Sequence, residues 1–298
     1  ININRSGRLH RWGLEMKTFL TLLFILLATN VLAADIYIAT TGSDETGDGS
    51  IGNPYATPYY VLDNSTTLVI IADNDTVYIR AGTYNMVEDA VDIRNVTGLT
   101  IQSYPGETAH LTSPVTEDAS YNTQVPYVTV YLHPSTSNIT LKDLEISGGS
   151  RYAVSLGSEW SWGTDYATGV TIDNCVIHDC GGDCIKVQPG CDDFTLKDSE
   201  VYNTCAMWKL RDSITDETGY GTQNCQGLDA VQVDNLTIQR NHFHDIRYRN
   251  DAIVPKGGGR DTLIERNLIE DCFGGILLGG NTDYPYLDWD DNPTGYQL

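Results

Sequence analysis

Residues 170–180 read VTIDNCVIHDC, and this pattern of apolar, polar and small residues returns four more times along the chain. The other copies are ITLKDLEISGG (139–149), FTLKDSEVYNT (194–204), LTIQRNHFHDI (236–246) and TLIERNLIEDC (262–272). The first apolar residues of neighbouring copies lie 24 residues apart at Val170 and Phe194, and 27 residues apart at Leu236 and Leu263. A unit of this length cannot bury its own apolar face, so we expect the units to stack on one another.

Each copy is followed by a second short β-rich run, such as DCIKVQPG or DAIVPKGG, and no segment shows a convincing helical period. Strands of three to five residues, turned by Gly, Asn and Asp, predict an all-β right-handed parallel β-helix. Two inward columns are expected, one of Leu141, Ile172, Leu196, Ile238 and Ile264, and one of Ile146, Ile177, Val201, Phe243 and Ile269.

Polar residues also fall into columns. Asn241 and Asn267 share one in which side-chain amides can bond between coils, and Cys180 and Cys272 share an inward column and are predicted to be small core residues. His178 and His244 share another column. We interpret these histidines as outward turn residues, since no third partner at metal-ligand spacing is evident.

The first 33 residues predict export. Met16 opens a charged, then apolar, then small-residue segment, so residues 16–33 are expected to be a signal peptide. Residues 1–15 lie upstream of it and are not expected in the mature protein. Residues 34–298 are predicted to form a single β-helix domain, truncated at its C-terminus because no cap over the last coil is evident. The protein is expected to be secreted, extracellular or periplasmic.

The net charge is −22, with 40 acidic and 18 basic residues. Such a balance argues against a nucleic-acid partner and favours cation binding. A polyanionic substrate would then need a metal ion or a local basic patch. No segment after the signal peptide is apolar enough to span a membrane, and we expect a monomer.

Seven cysteines fall between Cys175 and Cys272. In an exported chain Cys205 and Cys225 could pair and close the segment between them. The count is odd, so pairing within the chain cannot include all of them. No CxxC pair occurs, which argues against a zinc site.

The first part of the mature chain, TGSDETGDGSIGNPYATPYYVL followed by DTVYIRAGTY, resembles the entry module of secreted β-helix proteins of the pectate-lyase-like superfamily. The later stretch DAIVPKGGGRDTLIERNLIEDC resembles their repeat coils. The resemblance covers most of residues 35–281 and implies the fold. It does not fix an activity, because the superfamily includes lyases, hydrolases, epimerases and proteins without known catalysis.

Three activity patterns of the superfamily can be compared with this chain. The polygalacturonase series is absent except for Asp192-Asp193, and the epimerase DPHD element is missing. Calcium-dependent pectate lyases that share the entry module carry a DDxxD cluster for the metal and a lysine base on a later coil. The cluster is missing here, although lysines on later coils are present.

Three aspartates stand just before the second strand of successive coils, namely Asp183, Asp229 and Asp251. In one register they would form a ladder with a spacing of roughly 4.8 Å. Such like charges need a cation or hydrogen bonds, and Ca²⁺ suits several carboxylate oxygens. Alternatively, each aspartate only caps its own turn.

On the strands that follow, the predicted outward columns are Lys186–Gln232–Val254 and Gln188–Asp234–Lys256. Two lysines would then flank Asp234, and Arg260 lies nearby in sequence. The break in the repeat between Cys205 and Leu228 carries aromatic and cationic residues that suit a sugar-binding wall, namely Trp208, Arg211 and Tyr220. Gln188 and Gln232 are the other candidate substrate-binding residues.

This assembly suits β-elimination on a uronic-acid polymer, with Lys256 or Lys186 as base, Asp234 and Arg260 beside it, and a calcium site at the aspartates. Two alternatives stay open. One is a non-catalytic carbohydrate-binding β-helix, which is favoured if the lysines point to different faces. The other is a glycoside hydrolase that uses two of the three aspartates.

Overall fold

The computed structural model describes residues 33–63, 70–87, 90–115, 127–157, 166–204, 225–246 and 251–279. The described residues from Ala34 onward belong to one compact unit. Residues 1–32, which hold nearly all of the predicted signal peptide, lie outside the described part. Within that part, no helix has the length and hydrophobicity that a membrane span requires.

Three parallel sheets run along the molecule, and each coil contributes one strand to each sheet in turn. The first sheet contains β1 (Asp35–Ile38), β2 (Thr76–Ile79), β5 (Thr100–Ser103), β8 (Thr140–Lys142), β11 (Thr171–Asp173), β14 (Thr195–Lys197), β17 (Thr237–Gln239) and β20 (Leu263–Glu265). The second contains β3 (Gly82–Asn85), β6 (Ala109–Ser113), β9 (Leu144–Gly148), β12 (Val176–His178), β15 (Glu200–Tyr202), β18 (His242–His244) and β21 (Leu268–Glu270).

The third sheet contains β4 (Val91–Ile93), β7 (Val128–Leu132), β10 (Tyr152–Leu156), β13 (Ile185–Val187), β16 (Leu228–Val231), β19 (Asp251–Lys256) and β22 (Gly274–Ile276). One short helix, α1 (Pro58–Leu62), precedes this sheet and packs against β4. It begins where Thr57 accepts a hydrogen bond from the Tyr60 N–H and Pro58 fixes the first turn. The predicted all-β parallel β-helix is confirmed.

Apolar residues from all three sheets point inward and form one continuous core. The two predicted columns are confirmed, because the strand register pairs Leu141 with Ile172 and onward to Ile264, and Ile146 with Ile177 and onward to Ile269. Cys180 is fully buried, as predicted, while Cys272, also predicted in the core, is only partly buried and packs against it. Stacked coils thus bury what a single coil would expose.

Single residues in the left-handed region turn the chain between sheets. The turn from the first to the second sheet uses Asp143, Asn174, Asp198, Arg240 and Arg266, with φ between 52° and 56°. Asp and Asn tolerate this region because a short polar side chain can bond locally. One such residue per corner explains why the strands can be only three residues long.

A ladder of polar contacts runs inside this corner. The Cys175 N–H donates to Ser199 Oγ at 3.0 Å, the Ser199 N–H to Asn241 Oδ1 at 3.0 Å, and the Asn241 N–H to Asn267 Oδ1 at 2.9 Å. Asn241 Nδ2 also donates to the Leu196 carbonyl at 2.9 Å. The predicted asparagine column therefore bonds the coils together and satisfies backbone groups that would otherwise be buried without partners.

Candidate functional site

Two lysines converge on one buried aspartate on the outer face of the third sheet. Lys186 on β13 lies directly opposite Asp229 on β16, and its ammonium group hydrogen-bonds to Asp229 Oδ2. Lys256, at the end of β19, places Nζ 3.1 Å from Asp229 Oδ1. The carboxylate side chain is 0% exposed and the lysine side chains are 10% and 14% exposed. The lysine side chains therefore keep some contact with solvent, whereas the carboxylate they share has none.

Asp183 is a second buried carboxyl beside this group. Its Oδ1 accepts a hydrogen bond from the Gln226 N–H at 3.0 Å, whereas Oδ2 has no hydrogen-bond partner among the described residues. Burial, followed by the charge of Asp229, raises the pKa of Asp183 to about 7, although Lys186 and Lys256 act in the opposite direction. A carboxyl of this kind changes protonation near neutral pH.

Unsatisfied polar atoms are concentrated here. Beside Asp183 Oδ2, they include Gln188 Nε2 and Gln226 Oε1, and none of these atoms has a hydrogen-bond partner in the described part of the chain. Asp229 Oδ1 lies within ion-pair distance of Lys256 but off hydrogen-bond geometry. Buried donors and acceptors without partners are rare in folded proteins, so their concentration here distinguishes this group from the rest of the described chain.

A family model described as a right-handed β-helix region matches residues 60–221 and 136–288. The chain belongs to the right-handed β-helix family. Its three parallel sheets and stacked apolar columns are what the family name describes. A comparison with curated protein sequences finds no significant match.

Solved β-helix structures resemble this β-helix protein at low sequence identity. The complex of XylC with xylose has a TM-score of 0.51 and 12% identity, over 82% of this chain and 63% of that one. A GH136 lacto-N-biosidase from Eubacterium ramulus has a TM-score of 0.48 and 16% identity, over 90% of this chain and 58% of that one. A rhamnogalacturonan lyase has a TM-score of 0.38 and 12% identity, over 78% of this chain and 75% of that one. The chain thus spans about three fifths of the first two structures, and the similarity concerns the fold.

The predicted register around the site is wrong by three residues. Asp229 was expected beside Asp183, but it lies beside Lys186, because Leu228 and not Val231 fills the inward place next to Ile185. A shift by an odd number moves every side chain to the other face of the strand. The β-helix therefore has no column of Asp183, Asp229 and Asp251. Two lysines do flank an aspartate, but it is Asp229 and not Asp234.

The other predicted residues lie around this group. Asp234 Oδ1 accepts a hydrogen bond from the Arg260 N–H at 2.8 Å, so both belong to a neighbouring turn. Gln232 occupies the left-handed region with φ 49°, and its N–H donates to the Lys256 carbonyl at 2.7 Å. Asp251 begins β19, and its carboxylate lies close over Gly274.

Two predictions about the site region concern residues outside the described part of the chain. They are the sugar-binding wall of Trp208, Arg211 and Tyr220 and the pairing of Cys205.

Calcium was predicted at Asp183, Asp229 and Asp251, and the donor set can be compared with that expectation. Ca²⁺ takes six to eight oxygen ligands, and carboxylates serve it only when they are not already neutralised. Both oxygens of Asp229 face ammonium groups, which would repel a second cation. Asp229 does not fit a calcium ligand, so no chemical step below depends on the ion, and calcium binding stays a prediction.

Proposed function

We propose that the protein is a carbohydrate-active enzyme that cleaves an acidic, uronic-acid glycan by β-elimination. The observation that carries this proposal is the convergence of Lys186 and Lys256 on Asp229 beside a carboxyl with a pKa of about 7. In a chain with a net charge of −22, two ammonium groups at one place supply the local basic patch that a polyanion requires. The signal-peptide pattern supports export to where such polymers occur.

In the proposed reaction the ammonium groups face the C6 carboxylate of the uronate unit. Their charge stabilises the carbanion that forms when the C5 proton leaves. One lysine accepts that proton after losing its own proton to solvent, and the carboxylates of Asp229 and, above a pH of about 7, Asp183 stabilise the ammonium group that forms. The electrons of the C5–H bond form the C4=C5 double bond. The C4–O bond breaks, and the leaving oxygen takes a proton from solvent.

The structural comparisons support sugar as the ligand class. The XylC structure, with the TM-score of 0.51, is a complex with xylose, so a β-helix of similar architecture holds a sugar. The convergence of the lysines favours the enzyme over the binding protein, for which different faces were expected.

The experiment is the ultraviolet absorbance of unsaturated uronate, with pectate, alginate and chondroitin as substrates, in the presence of Ca²⁺ or EDTA. We expect absorbance to rise with one of them and to be lost in Lys186→Ala, Lys256→Ala and Asp183→Asn. Lys197→Ala is the matched control, because Lys197 pairs with Asp173 at 3.2 Å on the first sheet, away from the site. Full activity of the folded site variants would contradict the assignment.

A glycoside hydrolase is the second candidate, and one observation favours it. Asp183 has a raised pKa beside the Asp229 carboxylate, and two carboxyl groups in different environments serve as acid and base in hydrolases. Against it, both oxygens of Asp229 are engaged by ammonium groups. New reducing ends without ultraviolet absorbance would establish the hydrolase. Binding without cleavage would establish the binding protein.

A further inference from the structure

A second group of titratable side chains lies on the outer face of the second sheet. His110 on β6 lies directly opposite Glu145 on β9, and His178 is on the next strand, β12. Glu145 Oε1 is 3.3 Å from His178 Nε2 and 3.6 Å from His110 Nδ1. One ligand atom from each of the three residues lies within 4.8 Å of the other two. The third partner that the sequence did not reveal for His178 is therefore Glu145.

The remaining ring nitrogens are already held by neighbours. His178 Nδ1 lies 3.0 Å from Asp179 Oδ2, and His110 Nε2 lies 2.7 Å from Ser147 Oγ. Asp179 is itself fixed, since its Oδ1 accepts from the Thr204 hydroxyl at 2.6 Å and from the Thr204 N–H at 3.0 Å. Histidine ligands of metals are oriented in this way, with the second nitrogen donating to a carboxylate or another acceptor.

The carboxylates on both sides of the His178 ring favour a cation at this position. Both of its ring nitrogens face carboxylate oxygens, at 3.0 and 3.3 Å. A neutral imidazole has only one N–H, which leaves a lone pair directed at the second carboxylate. Either a proton or a metal ion must occupy the space between Nε2 and Glu145.

The spacing matches a metal ion. Zn²⁺ binds His nitrogen and carboxylate oxygen at about 2.0–2.2 Å in a tetrahedral arrangement, which puts neighbouring ligand atoms about 3.4 Å apart. The observed separations from Glu145 are 3.3 and 3.6 Å. We propose that His110, Glu145 and His178 bind a divalent transition-metal ion of the Zn²⁺ class, with an open fourth position. Imidazole and carboxylate are ligands that suit this class.

Ring stacking keeps the site in shape. The His178 ring lies 5.8 Å from that of His110 and 4.7 Å from that of Tyr202, with both pairs stacked. The faces of these rings are covered by one another, so the column presents edges and ring nitrogens outward. Edges do not stack on a sugar, which separates this column from an aromatic sugar platform.

A related group further along the sheet provides a comparison. Glu200, His242 and His244 also place ligand atoms within 4.8 Å of one another. Here His244 Nε2 is at hydrogen-bond distance, 2.8 Å, from Glu200, and His242 Nε2 is at 2.9 Å from Glu270. His242 Nε2 is thus held by Glu270, which lies outside the group of three, and we restrict the proposal to the first group.

The test is a titration of the EDTA-treated full chain with Co²⁺ alone and with Zn²⁺ alone. Tetrahedral Co²⁺ absorbs visible light strongly, which reports the coordination independently of any activity. We expect a saturable absorbance that Zn²⁺ displaces, with loss in His110→Gln, His178→Gln and Glu145→Gln. Asp179→Asn should weaken binding about 10–100-fold, as expected for a residue that orients a ligand.

His133→Gln is the matched control, because His133 lies beyond β7 of the third sheet and contacts Ser135. Its Co²⁺ affinity should equal that of the parent protein. Far-ultraviolet circular dichroism establishes that each variant is folded. The proposal is overturned if the parent shows no saturable Co²⁺ absorbance, which leaves the proton as the bridging cation. It is equally overturned if folded His178→Gln retains the signal while His244→Gln loses it.

Discussion

Asp229 lies between Lys186 and Lys256, and each of its carboxylate oxygens faces one ammonium group. The three residues come from three neighbouring strands, so the contact joins three coils of the helix. Because the carboxylate is fully buried, we expect removal of either lysine to lower the free energy of unfolding of the protein. The consequences can be measured separately for each lysine.

We expect Lys186→Met to lower the free energy of unfolding by about 3 kcal/mol, since removing one partner of a buried ion pair leaves an uncompensated charge. Lys256→Met should cost less, about 1–2 kcal/mol, because Lys256 faces Asp229 Oδ1 off hydrogen-bond geometry. Urea unfolding followed by circular dichroism measures both. Lys197→Met, which removes a more exposed pair, should cost less than about 1 kcal/mol. An equal cost for Lys186→Met and Lys197→Met would contradict the burial argument.

Asp183 should make the protein less stable as the pH rises. Its folded-state pKa of about 7 lies above the usual value of 3.8, so between these values the folded state binds more protons than the unfolded state. Stability is therefore greatest below the unfolded pKa and falls until the pH passes about 7.

Asp183→Asn mimics the protonated carboxyl and removes this cost. At about pH 8 it should raise Tm by roughly 2–8 °C, which corresponds to about 1–2 kcal/mol, and the gain should vanish near pH 4. Thermal unfolding at both pH values measures the difference. Asp35→Asn, at an exposed position on β1, is the control and should give no pH-dependent gain. A gain for Asp183→Asn that is the same at both pH values would show that ionisation is not its cause.

Asn241 should contribute more to the free energy of unfolding than an exposed strand residue does. Asn241→Ala removes the acceptor of the Ser199 N–H and the donor to the Leu196 carbonyl, both in a buried corner. Each buried group left without a partner costs about 1–3 kcal/mol, so a loss of about 2–4 kcal/mol is expected. Asn85→Ala, at an exposed position in β3, should change the unfolding free energy by less than about 0.5 kcal/mol. Similar losses for the two variants would show that the ladder of polar contacts does not stabilise the fold.

Gly148 and Gly106 share a backbone conformation but differ in their surroundings. Their φ values are 78° and 80°. A Cβ at position 148 would lie 1.8 Å from the Ser113 carbonyl oxygen, whereas a Cβ at position 106 would meet no atom within 4 Å. Gly106→Ala should cost about 1–2 kcal/mol from the left-handed conformation alone. Gly148→Ala must also displace backbone.

We therefore expect Gly148→Ala to unfold at a clearly lower denaturant concentration than Gly106→Ala. If the two midpoints coincide, the backbone at Ser113 moves aside at no measurable cost. That result would contradict the steric argument.

The fold could be predicted because it repeats. The column from Leu141 to Ile264 needs only one apolar residue per coil, and five copies of the pattern reinforce each other. The identity of the residues that meet at the site depends on the register of β16 against β13. At that strand the sequence is compatible with two registers. LDA and VQV both alternate correctly, and the left-handed turn at Gln232 leaves Leu228 and Ala230 facing inward.

The histidine group was missed for a different reason. Glu145 pairs with Val176 in the strand register, and His178 is its diagonal neighbour two residues on. Diagonal pairs come within reach only of long side chains, so a comparison along columns alone does not reveal them. His110 also lies before the first repeat copy that could be aligned.

One step along the third sheet corresponds to very different lengths of chain. Ile185 follows Val154 by 31 residues, Leu228 follows Ile185 by 43 and Ile253 follows Leu228 by 25, yet each is the direct neighbour of the one before. Closing a longer connection costs only about 0.6 kcal/mol for each doubling of its length. Insertions and deletions between strands can therefore accumulate during evolution without moving Lys186, Asp229 or Lys256. Ligand preference could diverge by changes in connection length alone, while the contacts among these three residues stay the same.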